Sequence, residues 1–85
     1  MEMKAMNEEV IRILGEVLGL GDRTSDMSRE TKLLGALPEF DSMAVVAVLT
    51  AIEEEYGVEV EDDEIDASLF ETVGTLTEYV ESKVA

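Results

Sequence analysis

The segment that most constrains the fold is the apolar run "DSMAVVAVLTAIEEEYG", residues 41–57. It contains no Pro and no internal Gly, and its apolar residues recur at helical spacing. Asp41 can cap a helix with its carboxylate, and Gly57 supplies a stop. The run therefore predicts a helix over 42–56. We expect its buried stripe to be Val45, Leu49, Ile52 and Tyr56, flanked by Met43 and Val46. We expect its opposite side to be Ala44, Ala47, Ala51, Glu54 and Glu55.

Three further helices are predicted. Residues 3–18 have apolar residues at helical spacing, and Gly19 ends the pattern. A short third helix is expected after a cap at Asp62 or Asp63, and a last helix after Thr72 as N-cap. The residues expected to be buried are Met3, Met6, Val10, Ile13, Leu14, Val17 and Leu18 in the first helix, Ile65, Leu69 and Phe70 in the third, and Val73, Leu76, Tyr79, Val80 and Val84 in the last.

The first connection, residues 19–41, has no sustained period. A connection of this length usually indicates function or short structure that the pattern does not show. Leu33, Leu34 and Leu37 predict that part of it folds onto the core. Residues 58–60 alternate like a strand, but the chain offers no partner strand, so we expect an extended link. The sequence thus predicts one domain, residues 1–85, of the all-α class: a small four-helix bundle with a long first connection and a short third helix.

The composition excludes several function classes. The chain has no Cys and no His, which rules out disulfides, thiolate catalysis and zinc sites. Its 21 acidic and 6 basic residues give a formal net charge of −15. Such a chain repels nucleic acid and anionic membranes and attracts basic protein surfaces, although solubility alone also explains the charge. It has no apolar run of membrane-spanning length and no signal peptide, so we expect a cytoplasmic protein without membrane insertion.

Ser42 is the hydroxyl that calls for an interpretation, because it directly follows Asp41 and opens a long helix. It could simply be a helix cap, which is the common role of Ser at such a position. It could be a nucleophile, but that role needs a base, normally His, and the chain has none. It could be an attachment point, since a phosphate at a helix N-terminus is stabilised by the N–H groups and the helix dipole.

The acidic runs "EEEY" and "EVEDDEID" raise the question of calcium. An EF-hand loop needs Gly at its sixth position, and neither Glu59 nor Asp62 begins a stretch that has one. We therefore expect solvated acidic faces and no metal site.

The motifs resemble those of the acyl carrier proteins and of the related peptidyl and aryl carriers. "DSM" opens an apolar helix that closes in "AIEEEYG", and "DASLFETVGTLTEYV" resembles the family's third helix and the start of its fourth. The resemblance extends over roughly residues 5–84. It implies a carrier and not an enzyme, with no catalytic residue of its own.

The resemblance also implies a cofactor. In this family a separate phosphopantetheinyl transferase esterifies the serine, here Ser42, with 4′-phosphopantetheine from coenzyme A. The thiol of this arm carries an acyl group as a thioester. Asp41 matches the family's acidic residue that helps to position the transferase and its metal.

The second helix would be the family's docking surface. The implied partners are the transferase, an acyl-loading ligase, and acyl-transferring or synthase enzymes with basic docking patches; we expect a monomer. The residues predicted to contact partners are Glu39, Phe40, Met43, Ala44, Ala47, Glu53 and Glu54.

Four positions depart from the family's common pattern. Phe40 stands where a small residue is usual, Met43 where Leu is usual, and Ala44 and Ala47 where acids are usual. These departures suggest a specialised carrier, with Phe40, Ala44 and Ala47 setting partner choice. The alternatives are an amino-acid or peptidyl carrier of the same fold and an unmodified acidic interaction module in which Ser42 is only a cap.

Overall fold

A computed structural model describes residues 6–38, 40–61, 63 and 65–84. Its α-helices are α1 (Met6–Leu18), α2 (Ser42–Tyr56) and α3 (Val73–Val84), and 3₁₀ helices form at Gly21–Asp26 and Ala67–Phe70. No β-strand occurs in these residues. The prediction of an all-α bundle with a long first connection and a short third helix is confirmed, the third helix being the 3₁₀ helix Ala67–Phe70.

Local signals fix most of the helix ends. Gly57 adopts the left-handed conformation at φ 65° and donates its N–H to Glu53 O, which ends α2 as predicted. Thr72 caps α3, because its Oγ1 accepts the N–H of Thr75 at 3.1 Å. The predicted cap of the third helix is wrong. Asp66 takes that role by accepting the N–H groups of Ser68 and Leu69, while Asp62 lies outside the described residues.

The core is formed by α1 packing against both α2 and α3. Its buried residues are Val10, Ile13, Leu14, Leu33, Phe40, Ala44, Val48, Leu49, Ile52, Phe70, Val73, Leu76 and Val80. The expected burial of Ile65 and Val84 is wrong, since these residues are 36% and 40% exposed. Tyr79 is only half-buried, and Met3 lies outside the described residues.

The buried face of α2 differs from the predicted stripe. Ala44, Val48, Leu49 and Ile52 are buried, whereas Val45 is half-buried. Nine of the ten residues from 43 to 52 are apolar, so the sequence pattern could not identify the face that turns inward. Packing against α1 decides it, and it leaves Met43 and Val46 exposed by 76% and 60%.

Hydrogen bonds join the long connection to the start of α3, in agreement with the expectation that part of it folds onto the core. Leu33 and Leu34 donate their N–H groups to the carbonyls of Glu71 and Phe70, both at 3.0 Å. In return, the N–H groups of Val73 and Gly74 donate to carbonyls of the connection, those of Thr31 and Arg29, at 2.9 and 2.8 Å. Donors at the start of α3 are thereby satisfied, and Leu33 is carried into the core.

The start of the connection packs tightly on α1. A Cβ atom added at Gly15 would lie 2.6 Å from Cγ2 of Thr24, and the N–H of Leu20 donates to Gly15 O at 3.1 Å. Gly15 therefore permits a close approach that the sequence could only suggest.

Among the described residues, no helix has both the length and the apolar character that a bilayer span needs.

Candidate functional site

Ser42 is the exposed first residue of α2, and its hydroxyl is not the cap of that helix. Asp41 is the cap, as predicted: its Oδ1 accepts the N–H of Ala44 at 2.9 Å, and its carbonyl accepts the N–H of Val45 at 3.0 Å. The interpretation of Ser42 as a simple cap therefore loses its structural basis.

Core residues on both sides hold Ser42 in place. Two positions before it, Phe40 is only 3% exposed and packs against Phe70 with ring centroids 5.5 Å apart and an interplanar angle of 49°. Two positions after it, Ala44 is 8% exposed. A short exposed step between two buried residues presents the hydroxyl at a defined place.

The same burial corrects two predicted partner contacts. Phe40 and Ala44 were expected on a docking surface, but both side chains lie in the core and cannot reach a partner in this structure. The aromatic ring of Phe40 anchors the loop that leads to Ser42. Ala44 lies on the buried face of α2, where an acid would be an unpaired buried charge.

The electrostatics at the start of α2 suit a phosphate. By helix geometry the N–H groups of Ser42 and Met43 have no acceptor within the helix, and the first turn contains no acidic residue. Anionic groups are stabilised at such a terminus by these donors and by the helix dipole. An exposed hydroxyl beside such donors fits a phosphodiester to Ser42.

A mostly apolar cleft of about 330 Å³ opens beside Ser42. It runs between α2 and the 3₁₀ helix Ala67–Phe70, and its lining residues are Leu34, Ser42, Val45, Ile65, Asp66, Ala67 and Phe70. Sequence reasoning missed this cleft, because it expected Leu34 and Ile65 to fold onto the core. Periodicity gives no signal for it, since Leu34 and Ile65 stand in connections.

Asp66 is the acidic group at this cleft. The hydrogen bond from the Ser68 hydroxyl, followed by those from the N–H groups of Leu69 and Ser68, lowers the pKa of the Asp66 carboxyl below its ordinary 3.8. Asp66 is therefore ionised at neutral pH. Among the described residues, no cluster of acidic side chains is arranged to hold a metal ion.

The other residues predicted to contact partners differ in their exposure. Met43, Ala47 and Glu54 are exposed on α2. Glu53 is half-buried, and its Oε2 accepts the N–H of Val60 at 2.9 Å, which fastens the extended link to α2. Glu39 lies outside the described residues.

Helical spacing brings Met43, Ala47 and Glu54 onto one exposed stripe of α2, together with two exposed residues that were not among the predicted partner contacts. We call it the α2 stripe; its members are Met43, Val46, Ala47, Thr50 and Glu54. Helical spacing of three and seven residues from Met43 would have found Val46 and Thr50, had the buried face been known.

A family model described as "Phosphopantetheine attachment site" matches residues 8–80. The chain belongs to the acyl carrier protein family. It is 34% identical over 80 residues to an acyl carrier protein from Acidothermus cellulolyticus, with 92% of each chain covered. Among solved structures, it is similar to a holo acyl carrier protein from Nitrosomonas europaea determined by solution NMR. That comparison gives a TM-score of 0.84 and 50% identity, and it covers 94% of this chain and 95% of the other.

These findings confirm the resemblance seen in the sequence. Members of the acyl carrier protein family are carriers and not enzymes, their prosthetic group is 4′-phosphopantetheine, and they work with enzymes of acyl metabolism. The expected cofactor is thereby confirmed, and the exposed hydroxyl at the start of α2 fits it.

Proposed function

We propose that this protein carries acyl groups on a 4′-phosphopantetheine attached to Oγ of Ser42 and delivers them to partner enzymes. The observation that carries the proposal is an exposed serine hydroxyl at the start of a helix that Asp41 already caps. The prosthetic group, when bound, supplies a thiol that holds the acyl group as a thioester.

The chain's own part in attachment is to present the hydroxyl and to receive the phosphate. A new bond forms between Ser42 Oγ and phosphorus, while a phosphoanhydride bond of coenzyme A breaks and the nucleotide part leaves. A base on the transferase takes the hydroxyl proton. The free N–H donors at the start of α2 would stabilise the charge of the attached phosphodiester.

The proposed partners are a phosphopantetheinyl transferase, an acyl-loading ligase and acyl-transferring or synthase enzymes with basic patches. The charge of −15 supports this choice, because it speeds encounter with positively charged surfaces. The α2 stripe lies on the same helix as Ser42. It is apolar near Ser42, where it begins with Met43, and acidic at its other end, where it ends with Glu54. The loading enzyme then determines which acyl group is carried.

Intact-mass spectrometry tests the attachment. The protein is incubated with coenzyme A, magnesium and a promiscuous transferase, alongside Ser42→Ala and Ser25→Ala. Ser25 is the matched control, since it is also an exposed serine. The wild type and Ser25→Ala should each gain the mass of one phosphopantetheine, and Ser42→Ala should gain none. An unchanged wild type, while a known carrier is modified in parallel, would favour the unmodified interaction module.

Two substitutions separate the capping role of Asp41 from its predicted role in transferase recognition. Asn is as good an N-cap as Asp, so Asp41→Asn should keep the stability but slow the transferase through loss of charge. Asp41→Ala should also lose about 1 kcal/mol of unfolding free energy. Equal transferase rates for Asp41→Asn and the wild type would contradict the recognition role.

Of the three residues expected to set partner choice, Phe40 and Ala44 are buried, so the hypothesis rests on the exposed Ala47. Ala47→Glu places an acid on the exposed α2 stripe, where the fold should tolerate it. We expect this variant to shift the relative rates of loading by its own ligase and by a general fatty-acid synthase. No change in either rate would contradict the hypothesis.

A further inference from the structure

Met43 is a methionine in an unusual place. Its side chain is 76% exposed and directly follows Ser42. Met6 and Met27, by contrast, are half-buried and pack against the core. An oxidant in solution therefore reaches the Met43 sulfur more readily than these two.

Met43 and Val46 form an exposed apolar pair beside Ser42. Val46 lies one turn further along the exposed side of α2 and is 60% exposed, and the first turn of α2 contains no acid. Adjacent exposed apolar side chains are a common mark of a protein interaction site. An enzyme that reaches Ser42 would meet this apolar pair on the helix side of the serine, while the exposed Asp41 precedes the serine. Met adapts well to apolar contacts because it is flexible and polarisable.

We propose that Met43 is an oxidation-sensitive modification site whose sulfoxide slows the reactions of partner enzymes at Ser42. The inference rests on the proposed function, because it needs enzymes that act on Ser42. Oxidation of the single thioether of Met43 would then regulate how fast partner enzymes act on the carrier.

The oxidant is a peroxide, and the step is a two-electron oxidation. The Met43 sulfur forms a bond to one peroxide oxygen while the O–O bond breaks. When the peroxide is hydrogen peroxide, its second oxygen is released as water. Sulfur is oxidised and peroxide is reduced. Methionine sulfoxide reductases reverse the change.

The sulfoxide acts on recognition and leaves the fold intact. It replaces an apolar group with a strong hydrogen-bond acceptor, which a partner would have to desolvate on docking. We expect about a tenfold loss of kcat/KM for the transferase, the range in which burial of one unsatisfied polar group falls. The melting temperature should not change, because the Met43 side chain lies outside the core.

The test begins with limited oxidation of the apo protein by hydrogen peroxide, followed by removal of the peroxide. Cleavage after glutamate releases residues 40–53 with Met43, 17–30 with Met27, and 3–8 with Met3 and Met6. Fragmentation of the last peptide separates its two methionines, so that the sulfoxides of Met43, Met27 and Met6 can each be quantified. Sulfoxide should form at Met43 before Met6 and Met27. Transferase kcat/KM is then measured for the oxidised and the untreated protein.

Two variants complete the design. Met43→Leu keeps an apolar side chain of similar volume but has no sulfur at this position, so peroxide should leave its own untreated rate unchanged. Met43→Gln is polar and should be slow without treatment. Earlier oxidation of Met6 or Met27, an oxidised Met43 with an unchanged rate, or equal losses in wild type and Met43→Leu would each overturn the inference. An untreated wild type that accepts no phosphopantetheine would overturn the proposed function and the inference together, which distinguishes that failure from the others.

Discussion

The contact between Gly15 and Thr24 gives a quantitative test of the packing between α1 and the long connection. A Cβ at position 15 would lie 2.6 Å from Cγ2 of Thr24, well inside van der Waals contact. The Thr24 hydroxyl donates to Gly21 O at 3.1 Å, and this bond holds the methyl group in place. Thr24→Ser keeps the hydroxyl and removes the methyl group. The two substitutions therefore form a double-mutant cycle.

The expected magnitudes follow from two opposing effects. Replacing Gly by Ala within a helix stabilises it by about 1 kcal/mol. Forcing a methyl group into a filled contact costs about 1–3 kcal/mol. Gly15→Ala alone should thus lower the unfolding free energy by about 0–2 kcal/mol. In the Thr24→Ser background it should raise the unfolding free energy by about 1 kcal/mol.

Urea denaturation of the four proteins measures the coupling. The wild type, both single variants and the double variant are unfolded under identical conditions, with slopes compared to check that the transition stays two-state. We expect a coupling free energy of about 1–3 kcal/mol. If Gly15→Ala has the same effect in both backgrounds, Thr24 does not limit the space at Gly15.

Three further predictions concern stability. Thr77 is fully buried and its Oγ1 has no hydrogen-bond partner in the described part of the chain, so Thr77→Val should raise the unfolding free energy by about 1 kcal/mol. A lower value in urea denaturation would contradict this. Because the pKa of Asp66 is lowered in the folded protein, its contribution to stability is complete above its ordinary value near 3.8 and is lost as the pH falls through the lowered pKa. An NMR titration of the Asp66 carboxyl should give a midpoint below 3.8, and Ser68→Ala should move that midpoint upward. An unchanged midpoint in Ser68→Ala would refute the role of the Ser68 hydroxyl. Finally, the net charge of −15 should make the melting temperature rise with added salt, and a flat response would contradict appreciable self-repulsion.

The parts of the fold that the sequence predicts are those set by local chemistry. Asp41 and Thr72 as helix caps and Gly57 as a stop act within one helical turn, so their residue types reveal their roles. Ser42 became a candidate from its place after Asp41 and from the family resemblance.

The parts that the sequence could not predict depend on tertiary contacts. The run from 43 to 52 is apolar almost throughout, and only packing against α1 shows that Ala44 and Val48 face inward. Phe40 resembled a surface departure from the family pattern until its contact with Phe70 showed it to be an anchor. The cap of the third helix could have been any of several acids, and the backbone geometry selects Asp66.

Peptide mapping of the modified wild type shows which side chain the phosphopantetheine is attached to. Cleavage after glutamate releases residues 40–53, in which Ser42 is the one serine and Thr50 the other hydroxyl. Fragmentation of this peptide distinguishes the two positions. We expect the added mass to lie on Ser42. Added mass on Thr50, or on a peptide that lacks Ser42, would contradict it.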